Sequence, residues 1–590
     1  MTMGVSSRGK WILGIGIATA LAIYVAIPLW LVEARIPRLS HELGTVQSDL
    51  HQKKFQQLDT ALIALHGTLS ALQGAGRMAI YARLIPHYGT IYANSMNLLA
   101  GGVDITKGAS IALQGVPSDL TQQKIPTLAA LLTAWKPRVV PALSWLRKAN
   151  QSWNMVQPQA LPALLRTRWP LIDQVRQLMP EIIAYGPTLA ASGPTLATLL
   201  GEHQSQRYLV MFENSGELRA TGGFMTAYGY LVMAHGKVKS VSSQNIYTLS
   251  AKVRYRPPAS MVIHRYLYLW HWHLRDANWS PNVPTTVQNI YRFYDSVPGV
   301  PKVDGTLLVT TWFVDRLLQD VGPVTVPSTL GPVKVTAQNA NYEMEYMAEK
   351  SGLSQAERKA FISVMMKTIL HKAFTARGIL LEHILTTVIQ GLQQKLLLVN
   401  FNNTQAQNLL QKLNWAGTID RQVSGNYLEV VDENLGGHKD NYFIHESVAV
   451  NVQRVGGQSV EHVRVTWVNP APPDGNWLVV PYTAWIRLYV PVGTKLQHLS
   501  GENGPVQQYI NTAVNKTVIG THVTIPNKPT ASAPASRGTL SYSLLLPATV
   551  PTSRFTLQKQ PGVPEVAYQI NVGKIKRTLM LYQDTVLNGL

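Results

Sequence analysis

The chain has 590 residues, with 52 Lys and Arg against 32 Asp and Glu, a formal charge of +20, and no cysteine. Charged residues make up 14%, well below the ~25% of ordinary soluble domains. The lack of cysteine excludes disulfides, thiolate metal sites and cysteine nucleophiles, and no basic run or zinc-finger spacing points to nucleic acid, so the excess charge suits anionic lipid or a teichoic-type polymer.

Residues 11–32, WILGIGIATALAIYVAIPLWLV, carry no charge and are long enough to cross a hydrocarbon core of ~30 Å. Arg8 and Lys10 precede them without an acidic residue. The positive-inside bias therefore predicts a single-pass protein of a bacterial cell membrane. It puts residues 1–10 in the cytoplasm, an N-terminal transmembrane helix over 11–32, and the bulk of the chain on the extracytoplasmic side. A cleaved signal peptide is the competing reading, although such cores usually run to ~7–15 apolar residues.

Residues 36–200 read as a helical stalk or bundle. Phe55, Leu58, Leu62, Leu65, Leu69 and Leu72 recur at spacings of three and four, a heptad-like seam. Later segments, such as TLAALLTAWKPRVVPALSWL, keep helical spacing but carry proline breaks.

Residues 205–420 alternate strand and helix, the pattern of a layered α/β domain. RYLVMF and AYGYLVMA read as strands, and His235-Gly236 as a turn before GKVKSVSSQNIYTL. A helix opens at Pro284, another ends at Gly322, and Ser354 with Glu357 forms a capping box. Residues 421–590 are strand-rich with frequent turns, as in HVRVTWVN and GTLSYSLLLP, and a β-sandwich is the expected architecture.

Motifs for the nucleophile elbow, zinc proteases, P-loops and dinucleotide binding are absent. Three polar knots interrupt the apolar context instead. The first is ENSGELRATGG, with Asn214, Glu217 and Arg219. The second is LRDANWSPN, with Arg275, Asp276 and Asn278. The third is VVDENLGGHKDNYF, with Asp432, Glu433, Asn434, Lys439 and Asp440. Paired arginines can grip a phosphate bidentately, and neighbouring carboxylates can hold a divalent cation or take a proton. The same residues equally suit Arg–carboxylate bridges that fasten loops together, and spacing alone favours that structural role. His271 and His273 share a strand face, but no third ligand is evident among the crowding aromatics, so no metal is assigned there.

NSGELRATGGF, LRDANWSPNVPTT, VDGTLLV, GPVTV and VVDENLGGHKDNYF occur in the order and approximate spacing of the bacterial family called domain of unknown function 4012, which the chain resembles. More distantly, residues 205–326 resemble the LytR-CpsA-Psr family of envelope phosphotransferases. That resemblance implies an α/β/α domain with a lipid tunnel, rim arginines for a polyprenyl pyrophosphate, Mg²⁺ held by aspartates, and transfer of a glycopolymer to the cell wall. Glu217-Leu218-Arg219 stands where that family carries Asp-x-Arg, whereas Thr221-Gly222-Gly223-Phe224 lacks its Arg-Ser-Asp-Thr charges.

On this resemblance Arg219, Arg275 and Lys439 would hold the pyrophosphate of a polyprenyl-phosphate-linked glycan. Asn214, Asn278 and Asn434 would orient its oxygens, and Glu217 and Asp276 would bind Mg²⁺ or accept a proton. A non-catalytic envelope scaffold for anionic wall polymer or protein partners is the alternative, and a pyrophosphate hydrolase the third.

Overall fold

The computed structural model describes residues 28, 30–51, 55–86, 88–114, 128–167, 169–376, 379–471, 478, 480–530 and 532–590. The chain divides into two units, Met1–Thr198 and Leu199–Leu590.

The first unit is helical. Its longer helices are Ile36–His51, Phe55–Met78, Tyr88–Leu113, Leu128–Asn154 and Trp169–Ala191. Leu58, Leu62, Leu65 and Leu72 of the heptad-like seam are buried, as a 3.6-residue period requires of one face. Gly101 sits against the indole of Trp153, where an added Cβ would fall 2.1 Å from the ring, and the indole donates to the Leu98 carbonyl at 3.1 Å. The expected proline breaks do not end helices. Pro137 and Pro141 lie inside Leu128–Asn154, and Pro180 and Pro187 inside Trp169–Ala191. Each removes a backbone donor, so tertiary packing rather than local propensity holds these helices together.

The expected transmembrane helix and single-pass localisation require correction. Among the described residues no helix is long and apolar enough to cross a membrane. Residues 1–27 and 29, which make up most of the 11–32 segment, lie outside the described residues. Where the chain becomes described, Glu33 and Arg35 follow at once, and the Arg35 guanidinium turns back to the Leu31 carbonyl.

The second unit begins with a six-stranded sheet ordered β3-β2-β1-β5-β8, with β4 on β2. Its strands are β1 (Gln206–Asn214), β2 (Phe224–Ala234), β3 (Lys237–Val241), β4 (Gln244–Asn245), β5 (Gly305–Thr310) and β8 (Leu397–Phe401). β1 and β5 run parallel, joined by a crossover that includes helix Val283–Tyr294, while β2 and β8 pair antiparallel at either side. Side chains alternate between two cores, following the two-residue period of strands. Leu209, Met211, Leu308 and Leu398 meet helix Val283–Tyr294 on one face. Leu307, Val309, Leu397 and Val399 meet helices Thr311–Val321, Gln355–Thr375 and Ile379–Gln393 on the other. A short β6–β7 pair, Val324–Val326 with Val333–Val335, closes that second core.

Two further six-stranded sheets form the β-rich C-terminal part. One runs, in order across the sheet, Lys495–Ser500, Ser536–Leu545, Gln458–Asn469, His445–Val455, Val566–Val572 and Ile575–Leu581; the other runs Gln507–Asn511, Lys516–Ile525, Tyr482–Pro491, β9 (Asn426–Asn434), Arg554–Leu557 and Thr585–Asn588. Strand β9, Asn426–Asn434, is buried along its whole length. Leu428 and Val430 face the core between the sheets, with Trp467, Tyr542 and Phe555. Tyr427 and Val431 point the other way, into a cluster with Ala220 and Ile419 of the α/β part. A strand covered on both faces loses the polar alternation of a solvated sheet. β9 is therefore the seam between sheet domain and sandwich.

Candidate functional site

The loop between β1 and β2 folds back tightly on itself and on the sandwich. The Glu217 amide donates to Asn214 O at 3.1 Å, and the Phe224 amide to Glu217 O at 2.8 Å. Gly222 adopts φ 129°, and a Cβ there would meet the Gly562 Cα at 2.9 Å. A Cβ on Gly223 would lie 2.2 Å from the Asn214 carbonyl oxygen. The Gly-Gly pair thus serves close backbone approach.

This packing brings the first and third polar knots into one buried network. Glu217 accepts from the Arg219 guanidinium on Oε1 at 2.9 Å and from the Lys439 ammonium on Oε2 at 3.1 Å. Arg219 also donates to the Asn434 carbonyl and lies over the Phe224 ring. The Asn434 amide N–H donates to Leu218 O at 2.9 Å, and its side chain reaches His438 O and the Asn441 side chain. Asn214 donates to Glu345 and accepts from the Tyr442 hydroxyl at 2.9 Å. Glu217, Arg219, Asn214, Asn434 and Lys439 are all buried.

The second knot completes the arrangement from the other side. Asn278 donates to Glu213 at 3.0 Å, to the Thr221 hydroxyl at 3.0 Å and to the Gly223 carbonyl at 2.8 Å. Asp276 is buried beside Arg275, whose Nε lies 3.6 Å from its Oδ2. Arg275 keeps partial exposure, with its guanidinium 5.2 Å from the Tyr247 ring centroid. Of the eight residues expected to form a site, seven are buried inside, and Arg275 alone reaches the surface.

Sequence reading missed Glu345, Arg487, Asn441 and Tyr442 as partners. Arg487 binds Glu433 at 2.5 Å and the Trp279 carbonyl at 2.7 Å, with its guanidinium over the Trp279 ring. Its signal was available: a lone arginine inside the apolar strand TAWIRLYV needs a buried carboxylate opposite.

Burial sets the electrostatics. It pushes the Glu213 carboxyl up to about 8 against the opposing hydrogen bonds of Thr221 and Asn278. It pushes Glu345 up to about 7, opposed by Lys439 and Asn214. Burial likewise raises Asp276, opposed by Arg219 and Arg275. Burial pulls Lys439 down, but Glu217 and Glu345 outweigh it and its pKa rises.

Glu217 and Asp276 do not fit the Mg²⁺ that the family resemblance implies. Both Glu217 oxygens are taken by cationic side chains. Among the described residues no group of three or more His, Cys, Asp or Glu is placed to hold a metal ion. Cations and carboxylates here neutralise each other, and removal of any one leaves an uncompensated buried charge.

Residues 203–348 match the family described as "Protein of unknown function (DUF4012)". The match takes in β1 to β7 and ends just past helix Ala340–Glu345, leaving out β8 of the central sheet. Among solved structures, Lin1025 from Listeria innocua is 16% identical, over 39% of this chain and 85% of that one, with a TM-score of 0.21. TagV from B. subtilis is 12% identical, over 36% of this chain and 80% of that one, with a TM-score of 0.22. Among curated proteins none matches the chain.

Proposed function

We propose that the chain is a non-catalytic binding protein of the cell envelope, which holds an anionic wall polymer on its surface. One observation carries this reading. Arg219 and Lys439, two of the three groups expected to grip a diphosphate, are buried and paired with Glu217 across the seam between sheet domain and sandwich. The network around them sets the cations Arg219, Lys439, Arg275 and Arg487 against Glu217, Glu345, Asp276 and Glu433. The +20 excess of the chain is therefore carried by residues outside it.

The test is cosedimentation of the full chain with purified phosphate-bearing wall polymer, beside a transfer assay with polyprenyl-pyrophosphate-linked glycan. Polymer binding without transfer is expected. Turnover that is lost in a folded Arg219→Ala variant would defeat the reading.

A second reading, transfer of the glycan from its polyprenyl pyrophosphate carrier, is favoured by the convergence of Arg219 and Lys439 on one carboxylate. It requires Glu217 to release both cations when substrate arrives. Protection of the chain against urea by a short polyprenyl pyrophosphate would support it.

A further inference from the structure

The segment Thr248–Arg275 contains five basic residues, Lys252, Arg254, Arg256, Arg265 and Arg275, and no acidic one. Exposed aromatics gather in it and at its edge: Tyr268 and Trp270 within it, and Tyr247 just before it. Its backbone explains how they are displayed. Two extended arms pair antiparallel around helix Met261–Leu267, with Pro258 opposite His271. The Ala259 amide donates to Trp270 O at 3.0 Å, and the Trp272 amide to Pro257 O at 2.9 Å.

In such a pair the side chains alternate between faces. Tyr255 and Trp272 turn inward, both edge-on to Phe293 at 5.2 and 5.5 Å between centroids. Arg256, His271 and His273 take the opposite face, joined by Arg275 from the end of the second arm. Arg275, Arg256 and His271 all act on the His273 imidazole, which burial foremost, and then these neighbours, hold below its ordinary pKa. The salt bridges between described residues leave Lys252, Arg254, Arg256 and Arg265 out, and only Arg275 meets a carboxylate, the buried Asp276 behind it.

Tyr268 caps the helix at φ 56° and is 85% exposed. A bulky residue in the left-handed region is uncommon and strained, and a glycine would sit there more easily. Trp270, 77% exposed, stands on the His264 ring at 4.3 Å. Packing of the core accounts for neither ring.

We infer that the hairpin Arg254–Arg275, with Tyr247 at its edge, is the binding face for a phosphate-bearing glycan chain. The inference rests on the polymer-binding reading above and names its site. Arginine forks pair with phosphodiester oxygens, and flat, exposed rings stack on the apolar faces of sugars between them. A chain of alternating phosphate and sugar matches the interleaving of cation and ring.

The experiment uses the full chain and a poly(hexosamine phosphate) as probe, with inorganic phosphate and neutral dextran as comparisons. Arg256→Gln is expected to weaken binding about tenfold and to lower the dependence of log K on log salt by about one ion. Trp270→Ala is expected to weaken binding without changing that salt dependence. Bound polymer raises the His273 pKa in an NMR titration, a response that a structural role would not produce. Lys576→Gln, on the sandwich edge strand Ile575–Leu581, leaves binding unchanged.

Full binding by both Arg256→Gln and Trp270→Ala overturns the site while the polymer-binding reading stands. Failure of the unaltered chain to bind overturns both. Tighter binding of a single-stranded oligonucleotide or of anionic phospholipid vesicles overturns the ligand class.

Discussion

Gly222 and Gly562 touch backbone to backbone: a Cβ added to Gly562 would lie 2.0 Å from the Gly222 Cα. Gly562 also holds φ 76°, and its amide donates to Lys395 O at 2.7 Å. The contact holds the β1–β2 loop, which carries Glu217, against the sandwich. Gly562→Ala is therefore expected to destabilise the Leu199–Leu590 unit by about 2 kcal/mol or more, since backbone cannot yield as a side chain can. Urea unfolding measures this; a midpoint within error of the unaltered chain would show that the seam tolerates separation.

Glu217 binds two cations at once, so its replacement takes the directly paired carboxylate from both. Glu217→Gln is expected to cost about 3–5 kcal/mol, the usual penalty for breaking a buried pair from one side. Combining it with Arg219→Met and Lys439→Met is expected to recover part of that loss, because the stranded charges go too. A purely additive triple variant would mean that the three side chains do not act as one network.

Glu213 gives stability an unusual pH dependence. Its carboxyl is pushed up to about 8 in the folded chain by burial, against about 4.3 when unfolded. Between these values the folded state holds the extra proton, so this group's contribution is full below the unfolded pKa and falls as pH rises to about 8. Thermal midpoints measured at pH 5 and pH 8 are expected to differ by less in Glu213→Gln, which copies the protonated acid. Equal pH slopes in the two proteins would rule out Glu213 as the source.

Local chemistry was readable wherever a short stretch determines its own conformation. The Ser354–Glu357 capping box forms on both sides. His235 and Gly236 both take positive φ, the requirement of the expected tight turn. The helix opening at Pro284 and the stop at Gly322 stand where their residues predict. The sequence assigns the stretch SSQNIYTL no element of its own, and its second half is helix Ile246–Ser250, because the Asn245 side chain accepts from the Tyr247 amide and caps it. Prolines 137 and 141 read as breaks because their cost is local, while the packing that outweighs it is not. The polar knots were visible as knots. Their pairing was hidden, since Lys439 meets Glu217 across 222 residues of chain and no spacing rule reaches so far.

Tyr268 separates display from packing. At φ 56° a glycine removes the steric cost of the side chain, and the freedom it adds to the unfolded chain offsets part of the gain. Tyr268→Gly is therefore expected to leave stability unchanged or raise it by about 0.5 kcal/mol. The ring it removes is mostly in solvent, so its loss should instead appear in the affinity for the poly(hexosamine phosphate) chain, at about threefold to tenfold. The two effects have opposite signs, and one preparation measured by thermal unfolding and by calorimetric titration reports both. A variant that loses stability and keeps its affinity would assign the tyrosine to the fold, and the exposed aromatic face would then rest on Trp270 alone.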